Sequence, residues 1–222
     1  MERRRLLEEE QKSLDEEMKQ KRVPPDGKVV ASNEAAAGSG KNSGVHKHDG
    51  FFLRLAPGVG IMSDKETLGA NKFEYSGTSS LFDFAIGVAI IENFIIYLDV
   101  SSAVVADPKL KVNGQSASTN TSDHSTSILG LGLAYYFPSN IYLSGAVGRA
   151  KTSLKANGNT YETKNGLGLN LMLGKEWWVS DNWGLGIAGQ WLYTDCPDID
   201  FAGSTPHVKA SSFGVLFSAT YN

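Results

Sequence analysis

Four charged residues stand out because each interrupts a stretch in which bulky apolar residues alternate with small ones. They are Arg54, Asp83, Asp99 and Glu176. Charges in such places are costly to bury unless they pair with an opposite charge. One arginine among three carboxylates predicts a buried ion network. It would either neutralise charge in the interior as a structural plug or act as a gate for small solutes.

A second candidate lies in TSDHSTS, residues 121–127, where His124 stands between Asp123 and Ser125. A histidine close to serine hydroxyls is the arrangement used for nucleophilic catalysis, and this segment resembles part of a hydrolase site. The same residues are also ordinary for a polar loop. We expect no catalytic role here.

Two further motifs are incomplete. His46 and His48 supply imidazoles for a metal, but two histidines leave a zinc site without its remaining ligands. GSGKNSG, residues 38–44, lacks the first glycine and the Ser/Thr of a phosphate-binding loop, and no strand precedes it. The sequence therefore predicts no enzyme, no metal site and no cofactor.

The element that carries two of the charges is seen in LFDFAIGVAIIENFIIYLDV, residues 81–100. A membrane helix is a poor interpretation, because a central charge costs about 2.5–3.5 kcal/mol on insertion. Read with a period of two, the stretch gives one apolar face on each side of Glu92-Asn93, which is typical of a β-hairpin with a tight turn. The apolar faces are Phe82, Phe84, Ile86, Val88 and Ile90, and then Phe94, Ile96, Leu98 and Val100.

The same period predicts eight strands, at about 50–63, 77–91, 94–106, 126–137, 141–154, 166–179, 183–196 and 210–221. Their connections alternate between tight turns and longer polar loops. The predicted loops are 64–76, 107–125, 155–165 and 197–209. An antiparallel meander with all its long loops at one end follows from this pattern.

Bulky apolar residues lie on one face of these strands, whereas Gly, Ala and Ser lie on the other. A soluble barrel or sandwich would carry Lys, Glu and Thr on its wet face, so the pattern favours a closed barrel with bulky groups facing lipid. Closure also pairs every backbone polar group within the hydrocarbon. Aromatic residues at the strand ends predict an interfacial girdle of Phe94, Phe137, Tyr142, Trp177, Trp183, Trp191, Tyr193 and Tyr221.

Two cations break the pattern on the predicted lipid side, Arg149 and Lys175. Either their long side chains reach the membrane interface, or a β-bulge at Gly148 or Gly174 turns them inward.

Composition limits the other possibilities. Of the 222 residues, few after residue 50 are basic and the net charge is −3, so the sequence predicts no nucleic-acid partner. Cys196 is the single cysteine, which rules out an internal disulfide. We expect a charged solvated helix at 1–22, a flexible linker at 23–49 and the barrel at 50–222. The start lacks a secretory apolar segment, so either a signal was removed or lies upstream, or the protein is not exported.

Three segments carry a resemblance to a known family. HDGFFLRLAPGVG (48–60), LMLGKEWWVSDNWGLGIAGQWLY (171–193) and FGVLFSATYN (213–222) resemble the small eight-stranded outer membrane β-barrel proteins of Gram-negative bacteria, OmpA-like and OmpX-like. The chain departs from that pattern by ending on Asn222 after Tyr221. The resemblance implies a monomeric outer membrane barrel surrounded by membrane lipid and lipopolysaccharide. It also implies periplasmic tight turns and a structural, adhesive or partner-binding role for the outer loops.

A narrow channel, a lipid A-modifying enzyme and a soluble lipid-binding barrel are the alternatives.

Overall fold

The computed structural model describes residues 46–119, 121–198 and 206–222, and the predictions for 1–22 and 23–45 lie outside this range. Within it the chain forms antiparallel strands. They are β1 (Phe51–Leu68), β2 (Asn71–Ile91), β3 (Phe94–Ala106), β4 (Lys109–Val112), β5 (Gln115–Ala117), β6 (Thr121–Tyr136), β7 (Ile141–Ala156), β8 (Asn159–Glu162), β9 (Gly166–Trp178), β10 (Trp183–Pro197) and β11 (His207–Tyr221). Among the described residues, no helix has the length and apolar character needed to cross a membrane.

Eight of these strands close into a ring, as the sequence predicted. Each long strand pairs with its neighbours in the order β1, β2, β3, β6, β7, β9, β10 and β11. The ring closes where β11 returns to β1, with Leu53 opposite Tyr221 and Glu66 opposite Val208. Closure leaves no edge strand in the ring, so the backbone groups of the wall are paired with one another.

The strands at the long-loop end extend further than predicted. The loop expected at 64–76 is wrong: β1 and β2 continue to a two-residue turn at Gly69-Ala70. The loop expected at 107–125 contains the β4–β5 hairpin, which pairs with β2, and 155–165 contains β8, which pairs with β7. Their turns, Asn113-Gly114 and Asn157-Gly158, have positive φ at both residues, as two-residue hairpin turns require.

The barrel has bulky apolar side chains outside and a packed interior. On β6, Leu129, Leu131 and Leu133 are about half exposed or more, whereas inward-facing Ala134 is buried. Glycines face inward where aromatic rings fill the lumen: a Cβ on Gly132 would lie 2.3 Å from Cζ of Tyr97. The soluble-barrel alternative, which needs the bulky groups at the centre, is therefore wrong.

Candidate functional site: the lumen and the cavity at the loop end

An apolar band surrounds the lower part of the barrel. On β1 the outward residues are apolar from Phe51 to Ile61, and Ser63, Lys65 and Thr67 follow. On β2 the outward residues turn apolar at Phe82 and remain so to the end of the strand. Each segment is about 10 residues long, the length with which a tilted strand crosses the hydrocarbon. The strand segments above this band form an extension of the barrel outside the membrane.

Most of the predicted aromatic girdle faces outward. Phe137, Trp177 and Trp183 are exposed at the tight-turn end, and Tyr221 meets Trp183 edge-on at 5.4 Å. Phe94 is half-buried at the same end. Nearer the loops, the Trp191 ring lies 6.1 Å from Tyr193 and 5.9 Å from Phe213.

Tyr142 is a correction to the girdle prediction. Its neighbours on β7, Ile141 and Leu143, face outward, so the pleat turns Tyr142 into the lumen, where it is fully buried.

The two cations on the lipid side are explained without a bulge. β7 and β9 pair in continuous register from Ile141–Lys175 to Ala150–Gly166. Lys175 reaches the carbonyl oxygen of Ser139 in the tight turn at 2.6 Å and lies 5.6 Å from the Trp177 ring centre. Arg149 is exposed at the upper margin of the band. Both positions keep the charge near an interface, where its cost is small.

Arg54 lies at the centre of the lumen network. It is fully buried, and its Nε donates to Oδ1 of Asp83 at 3.1 Å while a terminal nitrogen donates to Ser144 at 3.3 Å. Its guanidinium carbon lies 5.4–5.8 Å from the ring centres of Phe52, Tyr97 and Tyr142. Aromatic faces attract a cation when water is excluded, so the arginine is held by rings as well as by a carboxylate.

Asp99 joins the network through an amide. Nδ2 of Asn170 donates to Asp83 at 2.8 Å and to Asp99 at 3.2–3.3 Å, and Gln190 donates to the Asn170 carbonyl at 3.0 Å. Asn170 and Gln190 are not among the residues predicted for this network. Both have even numbers on β9 and β10, as do the residues predicted to face inward. This parity is the sequence signal that would have placed them in the lumen.

Glu176 forms a separate cluster nearer the tight turns. It accepts hydrogen bonds from Tyr136 at 3.2 Å and from Thr220 at 2.6 Å. His48 stacks on Tyr136 with ring centres 3.7 Å apart, and its burial lowers its pKa. His46 stacks on Trp178. Of the four predicted network residues, three are thus brought together and Glu176 lies apart. In the described part of the chain, no group of three or more His, Cys, Asp or Glu is placed to hold a metal.

Apolar side chains fill the lumen above this network. On β1, Met62 lies between Arg54 and Asp64; on β10, Leu192 lies between Gln190 and Thr194. Both are buried, as are Leu81, Val105, Ile128 and Leu216. The lumen is therefore closed twice, by a polar network and by an apolar layer.

A cavity of about 350 Å³ opens above the apolar layer, within the extension of the barrel. Asp64 and Glu66 of β1, Tyr75 of β2 and His124 of β6 line it together with Asp198. The volume is within the range of small-molecule sites, which starts near 300 Å³.

His124 faces inward rather than into a loop. Its Nε2 lies 2.9 Å from Oδ2 of Asp64, and both side chains are buried. The ring stacks on Tyr75 with centres 5.5 Å apart. Nδ1 has no hydrogen-bond partner among the described residues. The pair links β1 to β6 across the cavity.

Two carboxyl groups share the other side of the cavity. They belong to Glu66 and Asp198. Burial, followed by the charges of Asp198 and Asp64, raises the pKa of Glu66 to about 7. A carboxyl group with such a pKa changes charge near neutral pH.

The closed ring of antiparallel strands, the apolar exterior and the polar packed interior decide the class of this protein. The chain has the fold of the small outer membrane β-barrel proteins.

Solved structures similar to it include three of that class. Neisserial surface protein A is 14% identical, with 77% of this chain and 96% of that chain covered and a TM-score of 0.45. OprG from Pseudomonas aeruginosa is 14% identical, with 79% of this chain and 98% of that chain covered and a TM-score of 0.49. The outer membrane protein AlkL is 16% identical, with 86% of this chain and 96% of that chain covered and a TM-score of 0.45. No family model and no curated protein matches the chain.

Proposed function

We propose that this outer membrane barrel resides in Gram-negative bacteria as a monomer embedded in lipid and lipopolysaccharide, and that it is a non-enzymatic binding protein. Its wall and filled lumen supply a rigid support. The strand extension and loops above the membrane present the binding surface.

One observation carries this proposal: the lumen is blocked, whereas the loop end holds a cavity. Within the described residues, Arg54, Asp83, Asn170 and Asp99 occupy the cross-section of the membrane band. An eight-stranded barrel is just wide enough to be filled by side chains. A solute would have to displace both this network and the apolar layer above it. This obstruction favours binding in the cavity at the loop end over conduction.

Planar bilayer recording tests the proposal against the channel alternative. The purified barrel should give no steady conductance. The Arg54→Ala variant should either show a steady conductance or, like the wild type, show none. Stable unitary currents from the wild-type barrel, altered in size by Arg54→Ala, would establish a channel and reject the proposal. Heat-modifiable gel mobility confirms that each sample is folded.

Catalysis in the cavity at the loop end is a second candidate function, favoured by the buried Asp64–His124 pair. A histidine held by a carboxylate can act as a general base. Against it, Nδ1 of His124 has no hydroxyl partner in the described ranges, and Ser153, which lines the same cavity, lies 3.0 Å from Ser125.

Mass spectrometry of lipid A from cells that express the barrel separates these candidates. Binding alone predicts unmodified lipid A. A modification that His124→Ala abolishes and His207→Ala retains would establish the enzyme. His207 is a matched control because it also pairs with an aspartate, Asp195, at 2.6 Å, but on the exposed surface.

A further inference from the structure

Arg149 is a cation without a counterion at the edge of the hydrocarbon. It faces outward from β7, between Leu129 of β6 and Leu167 of β9, and both leucines are exposed. Within the described ranges of the chain, its guanidinium has no ion pair and no hydrogen bond. At this level of a membrane the available anions are lipid phosphates, and the planar guanidinium can donate to two phosphate oxygens at once.

Lys151 adds a second cation directly above Arg149. Both side chains point outward from β7, and two residues of a strand span about 7 Å, so one phosphate group can lie between the two charges. Lys151 is also paired with Glu162 of β8, but both side chains of that pair are about half exposed. Exposed pairs contribute little to stability, so Lys151 can share its charge with a phosphate at small cost. Glu162 stands beside Ser153, on the side of Lys151 that is away from Arg149.

A shallow groove of about 290 Å³ lies in the outer wall below Arg149. Gly145 forms its floor, because it faces outward between Leu133 and Leu171 and has no side chain to fill the space. From Gly145 to Arg149 the strand rises about 13 Å, which is close to half the thickness of the hydrocarbon. The groove therefore has the position and length to receive an acyl chain whose headgroup lies at Arg149.

A second groove in the outer wall lacks such a cation. Its volume is about 390 Å³, and its floor is the outward-facing Gly189 of β10, opposite Leu173. Higher on the same strand face stands Asp195, a carboxylate, and the neighbouring cations His207 and Lys209 are both paired with it. Charge at the headgroup level thus distinguishes the two grooves, and only the groove of Gly145 combines an apolar channel with an unpaired cation.

We propose that Arg149, Lys151 and the groove of Gly145 bind one molecule of lipid A, the phosphorylated lipid part of lipopolysaccharide. One phosphate lies between the two cations and one acyl chain lies in the groove. The inference rests on the proposed function in one respect, the position of the loop end at the outer leaflet, where lipopolysaccharide resides. It goes beyond that function by assigning a specific lipid site to the outer wall.

Native mass spectrometry of the barrel in detergent, titrated with lipid A that carries two phosphates, tests the inference. The wild type should bind one lipid A at least about tenfold more tightly than the same lipid without its phosphates, the ratio for one charge-assisted contact. Phosphatidylglycerol, an anionic phospholipid, should also bind more weakly than lipid A. Equal affinity for the lipid without phosphates, or for phosphatidylglycerol, would overturn the inference.

Two charge variants locate the headgroup. Arg149→Gln should weaken lipid A binding by about tenfold. Lys155→Gln is the matched control, because Lys155 also faces outward from β7 but lies further above the membrane and pairs with Asp123. It should leave the affinity unchanged. An equal loss in both variants, or a loss in neither, rules out Arg149 as the phosphate contact.

Two groove variants locate the acyl chain. Gly145→Val fills the groove below Arg149 and should weaken lipid A binding, whereas Gly189→Val fills the second groove and should not. The opposite order would place the lipid in the second groove and overturn the assignment. Heat-modifiable gel mobility identifies any variant that does not fold, and in that case the comparison of lipids on the wild type decides.

The two proposals fail separately. Channel currents in a planar bilayer reject the closed barrel without bearing on lipid A binding. A barrel that is silent in the bilayer, but binds lipid A no more tightly than Arg149→Gln does, rejects only the lipid site.

Discussion

Arg54 and Asp83 are diagonal neighbours on adjacent strands. Arg54 stands opposite Ala85, and Asp83 stands opposite Ala56, yet Nε and Oδ1 lie 3.1 Å apart with neither side chain exposed. Small alanines opposite each charge leave the room for this diagonal contact. The pair is thereby fixed by the register of β1 on β2.

Breaking this pair should destabilise the barrel strongly. Arg54→Met leaves Asp83 buried without its cation, and Asp83→Asn leaves the guanidinium without its anion. Removing one partner of a buried ion pair costs about 3–5 kcal/mol. Urea unfolding in lipid vesicles, followed by tryptophan fluorescence, measures the free energy of unfolding.

The double variant is the control for this prediction. Arg54→Met combined with Asp83→Asn removes both charges, so it should recover part of the loss caused by Arg54→Met alone. Additive losses in the double variant would mean that the two residues do not interact.

Glycines of the inner face should be less replaceable than glycines of the outer face. A Cβ on Gly132 would collide with the Tyr97 ring, whereas on Gly189 its nearest contact is the Leu173 carbonyl oxygen at 3.9 Å. Overpacking costs about 1–3 kcal/mol. Gly132→Ala should lower the free energy of unfolding by that amount, and Gly189→Ala should change it little. The reverse order would place the packed side of the wall on the outside.

The stability of the folded barrel should depend on pH through Glu66, which lines the cavity at the loop end. Its pKa is raised from 4.5 to about 7, first by burial and then by Asp198 and Asp64. The folded protein therefore keeps a proton that the unfolded chain releases. This contribution is complete below the unfolded value and is lost as the pH rises through about 7.

Thermal unfolding of the wild type and of Glu66→Gln isolates this effect. Between about pH 5 and about pH 8 the wild type should lose more stability than the variant. Parallel curves for the two proteins would show that Glu66 keeps its ordinary pKa. Glu92→Gln serves as the control, since it should follow the wild type.

The fold was predictable where one face meets lipid. In β6, Leu129, Leu131 and Leu133 alternate with glycines and alanine because hydrocarbon requires bulk outside and eight strands leave little room inside. Above the membrane that constraint ends. Asp64-Lys65-Glu66-Thr67 is polar on both faces of β1, so its pattern predicts a loop, although the segment pairs fully with β2.

The cavity could not be predicted from the sequence, for the same reason. Asp64 and His124 are 60 positions apart, and only the strand order and register bring them to 2.9 Å. The inward position of His124 was readable by parity, since it shares even numbering with Ala134 on β6. Its partner could not be predicted, because the polar pattern around Asp64 predicts a loop outside the sheet.

The central claim is that the half-exposed leucines and valines face lipid. Spin labels test it most directly, at Leu131→Cys, Ile187→Cys and Val215→Cys in a Cys196→Ala background and in lipid vesicles. Power saturation should show high accessibility to oxygen and low accessibility to a water-soluble nickel chelate at all three sites. A label at Lys65→Cys should show the reverse. Preferential accessibility to the chelate at Leu131, Ile187 and Val215 would contradict the account.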